Sequence, residues 1–431
     1  FVGEYGGARG GELAISPALP GTVLHYRLGN DPLRLTAGAF LACTDGITLK
    51  TRFGGVKGLF SGEGAFFLDA VGQGDLFFNA YGAVVEKDLD GELVELPAEW
   101  DFPQVWQQAD SCLPQAKVAE WCGFVFVNLD PDAIAFEEVA SKLVEHFGRD
   151  FNMSNRYKAF HAVKEVPANW KVVMEAFAEG YHVIATHPQI LEFAGDANSE
   201  YSIWPDSPFV TRFVNGFGLQ SPHLGNLTEQ QVADAYLAFS ARAARGAVEV
   251  PEGSTARAVV ADVFRSVMGP LYGKDLSQIS DSEMLDAHLY HLFPAFAPWA
   301  GTGQSLVYRW RPGPTPDTCF MDVIRMMPVP EGKERPEVAP IQRLTLEQRW
   351  TEAQGMSGLA DVFEQDMANL PKVQLGLKMT AKRAKKGVSF GVYQEARMRL
   401  IHRHIDNCIR EGLVADGRSA DELTPFIMPQ G

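Results

Sequence analysis

The chain has 431 residues, 46% hydrophobic and 21% charged, which suits a globular protein of two or three domains. A net charge of −16 and a pI near 5.1 argue against nucleic acid or an anionic membrane as partner. No apolar run reaches the ~18 residues of a membrane span, no signal peptide is visible, and five irregularly spaced cysteines point to reduced thiols in a cytoplasm.

The sequence opens at Phe1 and so reads as a fragment or trimmed product. Residues 1–86 hold 17 of the 41 glycines. Strand-like runs at Leu24–Leu28, Ile47–Phe53, Ala65–Ala70 and Asp75–Tyr81 alternate with turn signals. The turns are Gly54-Gly55, Ser61-Gly62-Glu63-Gly64 and Gly72-Gln73-Gly74. The spacing predicts an all-β unit over 1–87, a sandwich or roll. No GxxxxGK[ST] occurs, so a P-loop is excluded. The run LKTRFGGVKGLFSGEGAFFLDAVGQGDLFFNAYG resembles the β-sandwich family related to the trp RNA-binding attenuation fold, which includes a mitochondrial biogenesis factor. That resemblance implies a scaffold or assembly role rather than catalysis.

Composition changes near Asp88. Phe136–Phe147 reads as an amphipathic helix and Tyr157–Val166 as a strand. The stretch NWKVVMEAFAEGYHVIATHPQ follows, from Asn169 to Gln189. Glu179 and His182, at i and i+3, would share a helix face. His187, at i+5, would be rotated by about 140° from His182 on an unbroken helix. Pro188 disfavours the α conformation at His187, so the helix should end near Thr186 and let His187 swing back toward a metal held by His182. Imidazole is the commonest protein ligand for divalent iron and zinc.

Further on, Leu191–Val250 mixes aromatic-rich strand and loop with a helix at Thr228–Arg245. Val307–Arg311 and Thr318–Val329 alternate as strands, and Gly358–Met379 and Tyr393–Glu411 read as helices. The first of these helices carries Asp361, Glu364 and Asp366, among which spacing does not choose. The second carries His402 and His404, which read as ordinary solvated residues.

The segment with Asn169, Trp170, Lys171, Glu179, Tyr181, His182, His187 and Pro188 resembles the iron-site helix of the Rieske non-haem iron oxygenases. The stretch GLADVFEQDMANLPKVQLGLK resembles that family's late helix, and GVSFGVYQEARMRLIHRHIDNC its C-terminal segment. The resemblance implies an α+β fold: a helix-grip (START-like) antiparallel sheet with a long helix over 136–431, preceded by a Rieske-domain remnant at 88–135 and the N-terminal all-β unit. It implies a mononuclear Fe(2+) held by His182, His187 and Asp366. Glu179 would hydrogen-bond His182 and bridge to a neighbouring subunit's cluster. A trimer, electrons from a ferredoxin or reductase, and dioxygen with a small apolar or aromatic substrate complete the family picture. Phe177, Phe209, Phe213, Phe217 and Trp310 are candidate pocket residues, with plain core packing as the alternative.

The sequence departs from the family at the [2Fe–2S] centre, which needs two cysteines and two histidines in Cys-x-His and Cys-x-x-His. None of the five cysteines has a histidine two or three residues on. The reading is an oxygenase cut off at its cluster near Asp88, fused to an unrelated β-unit, binding iron but impaired in turnover. Two other readings stand beside it: a non-catalytic apolar-ligand-binding or assembly protein on the same fold, and a zinc hydrolase, because two His and one Asp also suit zinc.

Overall fold

The computed structural model describes residues 22–29, 32–36, 39–53, 66–80, 86–87, 93–95, 116–149, 151, 153–240, 248–303, 305–356, 358–384 and 388–419. The chain divides into two compact units, residues 1–117 with 129–131 and residues 118–128 with 132–431. The turns expected at 54–55 and 61–64, the junction at Asp88, Cys112 and the end of the helix expected over 228–245 lie outside the described residues.

The first unit contains β1 (Thr22–Leu28), β2 (Leu33–Thr36), β3 (Phe40–Cys43), β4 (Ile47–Phe53), β5 (Phe66–Gly72), β6 (Gly74–Ala80), β7 (Glu86–Lys87) and β8 (Leu93–Glu95). Two antiparallel three-stranded sheets form, β1-β6-β3 and β2-β5-β4, and β7 pairs with β8. Leu28 and Leu76 of one sheet share a buried cluster with Leu35, Ile47 and Ala70 of the other. Gly72 needs to be glycine: its φ is +130°, and a Cβ there would lie 2.1 Å from the Gly46 carbonyl oxygen.

The second unit opens with a hairpin of β9 (Lys117–Trp121) and β10 (Phe124–Asn128), then α1 (Phe136–Val139) and α2 (Ser141–Arg149). The single helix expected over 136–147 is thus broken at Ala140. There the Lys142 N–H donates to Ser207 Oγ, an outside acceptor that replaces a helical carbonyl. Next come β11 (Arg156–Val166), α3 (Trp170–Ala176), α4 (Val183–Thr186), β12 (Glu200–Ile203), β13 (Val210–Asn215), α5 (Glu229–Phe239), α6 (Ala256–Tyr272) and α7 (Asp281–Leu285). The chain continues through β14 (Ala287–Leu292), β15 (Phe296–Ala300), β16 (Leu306–Pro312), β17 (Cys319–Pro328), β18 (Gln342–Leu344), α8 (Leu359–Ala384) and α9 (Ala396–Ala415).

Eight strands form one sheet in the order β12-β13-β14-β15-β16-β17-β11-β18. Neighbours are antiparallel except β18, which runs parallel to β11. The sheet is therefore mixed, where a purely antiparallel one was expected. The connection after β17 accounts for this, because it runs back along β11 and donates from Ala339 N–H to Lys158 O before β18 begins. Alternation along the strands gives the sheet two apolar faces. Phe160, Ala162, Tyr308, Trp310, Met321 and Val323 pack on one face against α3, α8 and α9. Tyr290, Val307, Ile324 and Met326 pack on the other with α2 and the hairpin residues Trp121, Phe124 and Phe126. Helices α5 and α6 build a third cluster around Phe193, Tyr236 and Phe264.

Among the described residues no helix is long and apolar enough to cross a membrane. Cys43, Cys122, Cys319 and Cys408 are free thiols.

Candidate metal centre

Asn169 starts the histidine-bearing segment by capping α3. Its side chain accepts from the Lys171 N–H at 3.1 Å and donates to the Pro316 carbonyl at 2.8 Å. The helix buries Val172, Val173 and Met174, and then stops. Glu179 and His182 were expected on one helix face, but residues 177–182 form a turn between α3 and α4. Glycine at 180 weakens a helix there, and α3 ends with the Phe177 and Ala178 N–H groups tightened onto carbonyls three residues back. The turn packs closely, since a Cβ on Gly180 would stand 3.2 Å from the Asp196 carbonyl oxygen. The turn folds the Glu179 side chain over the start of α4. Its Oε2 accepts from the His182 N–H at 3.0 Å, and its Oε1 lies 2.7 Å from His182 Nδ1.

The short helix α4 runs from His182 as its N-cap to His187 as its C-cap. His187 has φ −125° and ψ 53°, outside the helical region as Pro188 requires. Asp366 enters from the first half of α8. Its Oδ1 is 3.1 Å from His187 Nε2 and 3.6 Å from His182 Nε2. One donor atom from each of these residues lies within 4.8 Å of the others, the only such set of three among the described residues. Asp361 is exposed, and Glu364 turns away to accept from the Trp350 N–H and to face Arg349. His402 pairs with Glu175 at 2.6 Å and His404 with the Pro208 carbonyl at 2.9 Å.

Both imidazoles are held from behind. Glu179 occupies Nδ1 of His182, and Gln365 Oε1 lies 2.7 Å from Nδ1 of His187. Gln365 is fixed by reciprocal amide bonds with Gln189 at 2.8 and 3.2 Å. A proton on each Nδ1 satisfies these acceptors and leaves both Nε2 lone pairs facing the Asp366 carboxylate. Burial alone would lower the pKa of His182, but the hydrogen bond and charge of Glu179, with the charge of Asp366, outweigh it and raise the pKa. Two imidazole nitrogens and one buried carboxylate, each already oriented, fit a divalent first-row metal.

Beside the donors stands an aromatic cluster. Phe177 lies 5.2 Å from Tyr308, 5.9 Å from Trp310 and 5.4 Å from Phe363, ring centre to ring centre. Phe363 precedes Asp366 by one turn of α8. Of the other pocket candidates, Phe213 stacks on Tyr201 with its ring beside Gly180, whereas Phe209 packs on Phe293 and His404 and Phe217 meets Phe193 and Tyr236. The structure also brings in residues that sequence reasoning passed over. Gln189 and Gln365 are separated by 176 residues, and no local pattern pairs them. The adjacency of Gln365 to Asp366 was the one available signal.

Residues 151–411 match the family described as ring hydroxylating alpha subunit (catalytic domain), and residues 1–96 match the family described as mitochondrial biogenesis AIM24. The chain is 34% identical over 101 residues to the carnitine monooxygenase oxygenase subunit of Acinetobacter pittii, covering 23% of this chain and 27% of that one. It is 28% identical over 109 residues to the glycine betaine monooxygenase oxygenase subunit of Pseudomonas aeruginosa, covering 24% of each. These matches span about a quarter of the length of the curated relatives. A solved quaternary ammonium Rieske monooxygenase in complex with an inhibitor superposes with a TM-score of 0.39 and 16% identity, over 72% of this chain and 65% of that one.

Proposed function

The chain belongs to the ring-hydroxylating oxygenase alpha-subunit family, matched over well over half its length, and from that premise we propose that His182, His187 and Asp366 hold a ferrous ion for oxygenation of a small organic substrate by dioxygen. The observation that carries this reading is the convergence of two Nε2 atoms on one buried carboxylate, with both Nδ1 atoms already engaged. Iron bound by two histidines and a carboxylate supplies open positions for dioxygen and one-electron redox chemistry. The chain's own residues do the rest. Glu179 and Gln365 keep the imidazoles in one tautomer and one orientation. Phe177, the partly exposed member of the aromatic cluster, offers its ring to a substrate. An aromatic face receives either an arene edge or an alkylated ammonium, and the likeness to carnitine and glycine betaine monooxygenase subunits favours the ammonium.

No cysteine here is followed by the histidine that a Rieske cluster motif requires. We therefore read the chain as iron-binding but without its own electron relay, so that turnover depends on reductant delivered by another route. The helix-grip description of the sheet and long helix, the trimer, the ferredoxin or reductase partner and the assembly role of the first unit belong to the same reading.

The test is iron and acid-labile sulfide on the purified protein. About one iron per chain without sulfide is expected, and His182→Ala, His187→Ala and Asp366→Ala should each lose the metal. Stoichiometric iron retained in Asp366→Ala would overturn the triad. About two sulfides per chain would overturn the missing relay.

A further inference from the structure

We propose that Arg397 and Tyr201 form a clamp on the two peptide units flanking Glu179, so that the C-terminal part of the chain sets the aim of the carboxylate that orients His182. This inference rests on the metal reading above and adds positioning residues to it.

Glu179 lies in a turn, where no helical ladder fixes its backbone. Yet its carboxylate meets both the N–H and the Nδ1 of His182, which requires a defined backbone direction at Glu179. Each neighbouring peptide is held. The Ala178 carbonyl, in the peptide before Glu179, accepts from Arg397 Nη1 at 3.1 Å. The Gly180 N–H, in the peptide after it, donates to the Tyr201 hydroxyl at 3.1 Å. Pinning both planes that meet at one Cα fixes φ and ψ there, which are the only soft backbone angles of the residue.

Both clamp residues are themselves held rigidly. Arg397 is 1% exposed, and its Nε donates to Thr211 Oγ1 at 2.9 Å while Nη2 reaches the Leu289 carbonyl at 3.4 Å. Among the described residues no carboxylate pairs with it. A buried cation served only by neutral acceptors destabilises a fold relative to a well-packed apolar side chain. What guanidinium supplies instead is a planar fork that reaches three acceptors on separate elements at once, which lysine does not reproduce. Tyr201 stacks on Phe213 at 5.2 Å and meets Tyr393 edge-on at 5.2 Å, with its hydroxyl 3.5 Å from Gln394 Oε1. The backing of Tyr201 and the guanidinium of Arg397 thus come from one short stretch, 393–397, leading into α9.

The experiment is a cobalt(II) titration of the full chain, reading affinity and the visible d–d spectrum. Arg397→Lys and Tyr201→Phe should each weaken cobalt by about tenfold, as loss of outer support for a histidine ligand does, and should shift the bands. Tyr201→Phe keeps the stacked ring, so it serves if Arg397→Lys fails to fold. In a Glu179→Gln background, either change should add less than about twofold, because the carboxylate they aim is already disabled. Unchanged affinity and spectrum in Tyr201→Phe, or full additivity on Glu179→Gln, would overturn the clamp alone. Wild-type protein that binds no cobalt, or His182→Ala that binds it undiminished, would overturn the metal reading and the clamp together.

Discussion

Glu179 and Gln365 serve the two histidines in parallel, one through a carboxylate and one through an amide. If His187 depends on its amide, Gln365→Leu should weaken iron by about 10- to 100-fold with the fold intact, measured by metal titration alongside circular dichroism. Affinity equal to wild type would show that packing alone aims His187. The two histidines were legible in the sequence because Pro188 acts locally on His187. Asp366 was legible only through resemblance, since Asp361 and Glu364 share its helix and burial separates the three only in the folded chain. Gln365, Gln189, Tyr201 and Arg397 were not legible: each contacts the site through residues far away in sequence, and such pairing leaves no periodic trace.

At the level of elements, one carboxylate ties three strands of the large sheet. Asp322 on β17 is fully buried and receives His161 of β11 at 2.9 Å, Arg309 of β16 at 3.0 Å and Arg311 of β16 at 3.0 Å. Burial alone would raise its pKa, but these partners hold it down at about 2. Asp322→Asn should cost about 3 kcal/mol, the low end for breaking a buried pair, because both arginines also reach solvent. The sign follows from the depressed pKa. The contribution is full above the unfolded value of about 3.9 and is lost as pH falls toward 2. Urea unfolding of both proteins should therefore give a gap at neutral pH that narrows with acid, and a pH-independent gap would rule the account out. Sequence patterning placed β11, β16, β17, α8 and α9 because each is a long, regular element. It did not place the break between α3 and α4, where a carbonyl from another loop crowds Gly180. Nor did it place the parallel strand β18, whose direction is set by how its connection lies along β11.

For the whole molecule, all three donors and their supports belong to the second compact unit. Deleting residues 1–116 should accordingly leave metal stoichiometry unchanged, checked by metal analysis of the shortened protein, and loss of the metal would show that the first unit is needed to build the site. Asp366 and His187 are 179 residues apart in the chain, on separate elements drawn to one point. A shared ion there would act as a staple across that interval, tying α8 to the short helix between the histidines in the folded state only. Stability should then rise with free metal, by about 2.7 kcal/mol at a hundredfold excess over Kd. Heating the protein with a chelator should release α8 at a lower temperature than heating it with iron. The same three side chains proposed to do the chemistry would thereby also decide how long the protein survives being warm.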